Sequence, residues 1–243
     1  MSAVSPRNTD TIPLRERLIV ALDVPDAASA RALVDELGDS VEFYKIGLEL
    51  AGSGEYFDLL DWLLDKRKRV FADLKFYDVP ATVSAAVRQI SRCGATFLTI
   101  HGDRAIMEAA ATEKGPDLKL LAVTVLTSLD QSDLADMGIT RDVKELVLLR
   151  AAQALAAGCD GVISSGLEAA AIRERVGPKL LIVSPGIRPA DSTSADDQKR
   201  IVTPARAFEN GADYIVVGRP IRNAASPREM AESMQAEIAA ALR

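Results

Sequence analysis

Eight short apolar runs recur along this chain, and the segments between them carry the longer hydrophobic period of helices. The runs are 18–23 (LIVALD), 42–47 (EFYKIG), 70–75 (VFADLK), 96–101 (TFLTIH), 119–125 (KLLAVTV), 160–164 (DGVIS), 180–185 (LLIVSP) and 213–218 (DYIVVG). They are nearly continuous in hydrophobicity rather than alternating, the pattern of parallel strands covered on both faces. Between them, residues 26–37 put Ala27, Ala30, Leu33, Val34 and Leu37 on one stripe before Gly38 stops the helix. Pro80 opens another helix, with Val83, Val87 and Ile90 inward and Gly94 at its end. Val143, Val147, Ala151 and Ala154 make a third stripe closed by Gly158. The last helix starts at Pro227 and carries Met230, Met234 and Ile238.

This alternation, in 243 residues without a linker, low-complexity tract or repeat, predicts a single-domain α/β fold. Eight strand–helix units fit a (β/α)8 TIM barrel over residues 15–243, behind a polar, turn-rich extension over 1–14. A doubly wound sheet is the alternative. Its Gly-x-Gly-x-x-Gly first turn is missing, since the first turn here reads Leu22-Asp23-Val24-Pro25.

Within the third run, FADLKFYDVPAT places Asp73, Lys75 and Asp78 in an Asp-x-Lys-x-x-Asp array. A strand alternates its side chains, so Asp73 and Lys75 point the same way. Buried charges cost several kcal/mol each unless paired, so three of them on a segment built for burial point to an active site. A lone salt bridge at a strand edge is the plainer reading of any one pair. Polar residues also end the other strands: Asp23, Lys45, His101, Thr124 with Thr127 and Ser128, Ser164 with Ser165, Arg188 and Arg219. In a barrel, chemistry sits at these carboxyl ends. Acids, lysines and arginines together suit an anionic ligand bearing hydroxyls.

The last two turns, Ser184-Pro185-Gly186-Ile187-Arg188-Pro189 and Val217-Gly218-Arg219-Pro220, each join glycine to arginine at strands seven and eight. That is the usual phosphate position of the fold, where backbone N–H groups meet the anion and Arg219 adds a bidentate contact. The plainer reading makes Arg219 a surface residue beside a tight turn. Residues 189–203 form a long polar loop for a barrel, a candidate cover over the ligand. His101 reads as a residue orienting its neighbours rather than as an acid–base catalyst.

A net charge of -6 and the absence of a dominant basic stripe argue against a nucleic-acid binder. The basic run Lys66-Arg67-Lys68-Arg69 reads as a solvated helix C-terminus. No run of 18 apolar residues suggests a membrane span, and no secretory signal pattern appears. Cys93 and Cys159 stand alone in apolar surroundings, so a reducing cytoplasm is expected. One histidine and two separated cysteines give no zinc-like cluster; a carboxylate site for magnesium stays open on composition.

The blocks ALD, YKIG, DLKFYDVPAT, VTVLTS, SPGIRP, DQKRI and VVGRP occur in this order, and over nearly the whole chain they resemble the orotidine 5'-phosphate decarboxylase family. The resemblance implies a cofactor-free, metal-free decarboxylase acting on a nucleotide as a homodimer. It implies that Asp23 and Lys45 hold ribose hydroxyls, that Asp73 lies beside the substrate carboxylate, and that Lys75 protonates C6. Asp78 and Thr82 would reach across the dimer interface. Thr127 and Ser128 would read the pyrimidine edge, Gln198 would bridge base and phosphate, and Arg188, Gly218 and Arg219 would bind the phosphate. Ala81 departs from the family, which often has Asn there. Magnesium-dependent sugar-phosphate lyases look similar at the Asp-x-Lys-x-x-Asp array but carry an acidic metal ligand where this chain has Lys45. A phosphate-binding barrel without catalysis is the third alternative.

Overall fold

The computed structural model describes residues 12–189 and 200–243. Eight parallel strands close into a barrel in sequence order, with the last hydrogen-bonded back to the first. They are β1 (Leu18–Ala21), β2 (Phe43–Ile46), β3 (Arg69–Phe76), β4 (Phe97–His101), β5 (Lys119–Val123), β6 (Gly161–Ile163), β7 (Leu181–Ser184) and β8 (Tyr214–Val217). Each lies on one of the eight apolar runs. The helices outside them are α1 (Ala27–Leu37), α2 (Leu48–Ala51), α3 (Tyr56–Asp65), α4 (Pro80–Ile90), α5 (Arg104–Ala111) and α6 (Gln131–Asp136). They continue as α7 (Val143–Ala156), α8 (Ala169–Val176), α9 (Pro204–Glu209), α10 (Arg219–Arg222) and α11 (Pro227–Ala241).

Strand alternation divides the core in two. Leu18, Val20, Tyr44, Ile46, Ala72 and Leu98 face outward, into one continuous layer with the buried stripes of the helices. There the sequence-predicted stripe of α1 is buried throughout, as are Val83, Val87 and Ile90 of α4. Ile19, Phe43, Phe71, Phe97, Leu121 and Tyr214 face inward and fill the barrel. The Phe97 ring lies 5.0 Å from that of Phe43 and 5.1 Å edge-on from that of Tyr214, the tilted and T-shaped arrangements aromatic quadrupoles favour. Ile12 packs against this inner cluster, and Glu16 pairs with Arg69 at 2.6 Å, so the chain is tied to the barrel before β1 begins.

The basic run after α3 is not one solvated helix end. Lys66 pairs with Asp35 at 2.7 Å and lies over the Trp62 ring, while Arg67 turns the chain with a left-handed φ of 58°. Lys68 donates to the carbonyls of Gly38 and Val41 at 2.7 and 2.8 Å, tying down the turn that follows α1. Arg69 already belongs to β3.

Candidate active site

The aromatic floor stops at Phe43, Phe71 and Phe97. Two residues further along the same strands the inward side chains are Lys45, Asp73 and Thr99, all buried. Above them opens a cavity of about 550 Å³. Its walls include Asp23, Lys45, Asp73 and Lys75 on one side and Thr127 and Ser128 on another. Gly186, Arg188, Gly218 and Arg219 line it at the ends of β7 and β8.

The charges form a chain of alternating sign. Lys45 Nζ donates to Asp23 Oδ1 at 2.8 Å and lies 3.3 Å from Asp73 Oδ2. Lys75 Nζ donates to the other oxygen, Asp73 Oδ1, at 2.8 Å. Burial is the largest single influence on Asp73 and would raise its pKa. Lys45 and Lys75, with hydrogen bonds from Lys75 and Thr99, outweigh it and hold the carboxyl below the ordinary aspartate value. Lys45 shows the same balance: burial pulls its pKa down, and Asp73 and Asp23 more than offset this and raise it. Both directions favour the charged pair over a neutral one.

Lys75 meets Asp73 by a different route from plain alternation. It holds a left-handed φ of 47°, unusual for a residue with a Cβ and costing about 1–3 kcal/mol. The pairing of β3 with β4 slips at the same place: Ala72 is opposite Leu98, but Phe76 is opposite Ile100. Four residue steps on β3 thus span two on β4. Such a bulge re-aims side chains next to active sites, and here it turns Lys75 back onto Asp73.

Arg188 is buried, its Nη1 donating to the carbonyl of Ile187 at 2.7 Å. The preceding turn passes through Gly186 at φ 75°, a conformation that favours glycine. Asp78 and Thr82 do not line the cavity. Both are exposed, at the start of α4, and Asp78 Oδ1 accepts the N–H of Val79 at 2.6 Å. Gln198 lies outside the described residues, as does most of the 189–203 loop. His101 stacks on Tyr77 at 4.4 Å between ring centroids. Burial, helped by Arg150 and Lys75 against Asp103, pulls its pKa below the ordinary histidine value.

Several contributors escaped the sequence reading. A Cβ on Gly47 would stand 3.0 Å from Lys45 Nζ and 3.3 Å from Asp23 Oδ1, so glycine leaves room for that ion pair. Arg222, one turn beyond Arg219, also lines the cavity. Arg200 donates to Glu168 Oε1 at 2.7 Å and to the carbonyls of Val125 and Leu126 at 2.9 Å each. It thereby braces the loop that carries Thr127 and Ser128. Gly47 and Arg200 fall within the blocks YKIG and DQKRI, but nothing in the sequence assigned them a role. Among the described residues, no group of three or more His, Cys, Asp or Glu is placed to hold a metal ion.

A closed parallel barrel that gathers carboxylates, lysines and arginines at the carboxyl ends of its strands has the architecture of an enzyme site for an anionic ligand. The profile of the Orotidine 5'-phosphate decarboxylase / HUMPS family matches residues 16–234, and the chain belongs to that family. An orotidine 5'-phosphate decarboxylase of Methylococcus capsulatus is 61% identical over 227 residues, 93% of either chain. One from Stenotrophomonas maltophilia is 56% identical over 234 residues, covering 95% of this chain and 97% of that one. The crystal structure of orotidine 5'-phosphate decarboxylase from Lactobacillus acidophilus matches with a TM-score of 0.80 at 34% identity. It covers 92% of this chain and 99% of its own.

Proposed function

We propose that this chain decarboxylates orotidine 5'-phosphate to uridine 5'-phosphate and CO2, the final step of UMP biosynthesis, with Lys75 as the proton donor. The relatives, matched over 93% and 97% of their own length, carry the name of that reaction. The observation behind the mechanism is the chain Asp23–Lys45–Asp73–Lys75, in which each charge neighbours its opposite. When the bond from C6 to the carboxylate breaks, its electron pair stays on C6 in an sp² orbital that the ring π system cannot delocalise. Stabilisation must then be electrostatic, part of the roughly 8–23 kcal/mol by which enzymes lower barriers. The Lys75 ammonium supplies positive charge beside C6 and transfers its proton there, leaving a neutral amine to be reprotonated from solvent. Asp73, kept ionised by both lysines, faces the substrate carboxylate and fixes the direction of Lys75.

The magnesium-dependent branch of the resemblance fits the geometry less well. An ammonium, Lys45, stands where those lyases carry an acidic metal ligand, and it pairs with both Asp23 and Asp73. The remaining assignments follow the family resemblance, and the residues concerned, Asp23, Lys45, Thr127, Ser128, Arg188, Gly218 and Arg219, all line the cavity. Arg188, Gly218 and Arg219 take the phosphate, Asp23 and Lys45 the ribose, and Thr127 and Ser128 the base. Asp78 and Thr82, exposed at the mouth of the barrel, serve the partner's site in a homodimer. Free cysteines suit a reducing cytoplasm, and among the described residues no helix is long and apolar enough to cross a membrane. The test is turnover of orotidine 5'-phosphate by purified protein with and without EDTA, alongside Lys75→Ala. Activity indifferent to EDTA and lost in the variant is expected; near-parental turnover by Lys75→Ala would end this mechanism.

A further inference from the structure

We infer that Thr99 is a positioning residue for the proton donor, its hydroxyl locking the Asp73–Lys75 pair at both ends; the inference rests on the role given to Lys75 above. Thr99 sits in the middle of β4 with 0% of its surface exposed, so it acts only through its neighbours. A hydroxyl offers one hydrogen and two lone pairs, and the partners dictate how they are used. The backbone N–H of Lys75 lies 3.0 Å from Thr99 Oγ1 and can only donate to it. The hydroxyl hydrogen is then free for Asp73 Oδ1, 2.8 Å away, which as a carboxylate can only accept. Lys75 Nζ reaches the same oxygen at 2.8 Å. The result is a closed ring: Lys75 N–H to Thr99, Thr99 to Asp73, and Asp73 back to the Lys75 ammonium.

The bulge explains why a side chain has this task. Between the pairings Ala72–Leu98 and Phe76–Ile100, β3 has extra residues that no regular ladder can satisfy. The Lys75 N–H would be one of the orphans, and a buried orphan donor is costly. Thr99, directly between Leu98 and Ile100, takes it. The left-handed backbone at Lys75 is thus held from the neighbouring strand while its head is held by Asp73. Without the hydroxyl, both the backbone turn and the carboxylate lose a partner. Lys75 then samples positions away from C6, and displacement of about 1 Å can cost on the order of 100-fold in rate.

Thr99→Val keeps the shape and removes the hydroxyl, Thr99→Ala removes it with less crowding should Val fail to fold, and Thr99→Ser restores it. Steady-state kinetics with orotidine 5'-phosphate, the affinity for uridine 5'-phosphate and the melting temperature are measured for each, with Lys75→Ala in parallel. The expected result is a kcat lower by roughly 10- to 100-fold in Thr99→Val and Thr99→Ala. KM and nucleotide affinity should stay within about threefold, and Thr99→Ser should recover most of kcat. Parental kcat in the folded hydroxyl-free variants overturns the inference. So does a loss in which kcat, KM and nucleotide affinity fail together, or one that Ser does not rescue. If Lys75→Ala is inactive while Thr99→Val turns over normally, only the role of Thr99 falls. If Lys75→Ala turns over normally, the proton-donor reading falls and takes this inference with it.

Discussion

The inside of the barrel has two layers built on the same strands, and they obey opposite rules. In the lower layer Phe43, Phe71 and Phe97 meet as rings, with Tyr214 edge-on to two of them. In the upper layer the same three strands carry Lys45, Asp73 and Thr99, joined by ion pairs and hydrogen bonds. One pleat period separates a set of contacts indifferent to pH from one that depends on every charge. The two layers need each other. The packed floor keeps water from the underside of the carboxylate and ammonium groups, and attractions between charges strengthen where water is excluded. The charged layer in turn could not be buried without its alternation of sign. A barrel interior is therefore not uniformly a hydrophobic core: its lower part holds the strands in register, and its upper part uses that register to place charges.

The sharpest break between the layers comes from Lys75→Ala. It removes the proposed proton donor and leaves the floor intact, so kcat should fall by on the order of 10⁴-fold, with a melting temperature close to that of the parent. Rapid-quench or CO2-release assays read the first, thermal unfolding the second. Phe97→Ala is the converse. The ring touches three other aromatics, and its removal should cost about 3–5 kcal/mol of stability by denaturant titration. The folded fraction should still turn over.

Lys45→Met sharpens the comparison through pH. In the parent, Asp73 ionises below its ordinary value of 3.8. Its charged form therefore contributes stability that is complete above the ordinary value and lost as pH falls through the lower folded value. Removing Lys45 takes away the largest influence opposing burial, so the pKa of Asp73 rises. The acid limb of the pH–rate profile should move to higher pH, with Lys75 and Thr99 still limiting the shift. An unmoved acid limb would show that Lys45 does not govern the ionisation of Asp73.

The two layers also differ in how far they could be read from the chain. Apolar runs fix strands through burial, a property every residue of the run shares, and so all eight strands and the stripe of α1 were legible. The contact between Asp73 and Lys75 was expected from alternation, but alternation is not what makes it. A bulge and a left-handed lysine do, and neither has a signature where no glycine marks the turn. Thr99 looked like any β-branched strand residue, since its partners lie on a neighbouring strand 24 and 26 positions away. Arg200 stood inside the block DQKRI, but its bracing role was hidden for the same reason, its ion pair with Glu168 spanning 32 residues. The basic run after α3 misled because four adjacent like charges suggested one environment, whereas the chain passes from a turn into β3 beneath them.

The smallest expected effect tests how finely the upper layer is fitted. Gly47 has φ −117° and ψ −162°, an extended conformation open to any residue, so Gly47→Ala brings no backbone strain. Its added methyl would instead press on Lys45 Nζ at 3.0 Å and on Asp23 Oδ1 at 3.3 Å. A lysine head at the surface would swing aside at little cost. This one is buried and bound to two carboxylates, and moving it lengthens at least one of those contacts. Stability should change by no more than about 1 kcal/mol, as for most substitutions that leave the core packed. Turnover should fall several-fold, with the effect reduced when the same change is made in Lys45→Met, where the closer contact, with Nζ, has gone and only that with Asp23 Oδ1 remains. A loss that persists unchanged in the double variant would place the role of Gly47 elsewhere than in the spacing of the Lys45–Asp23 pair.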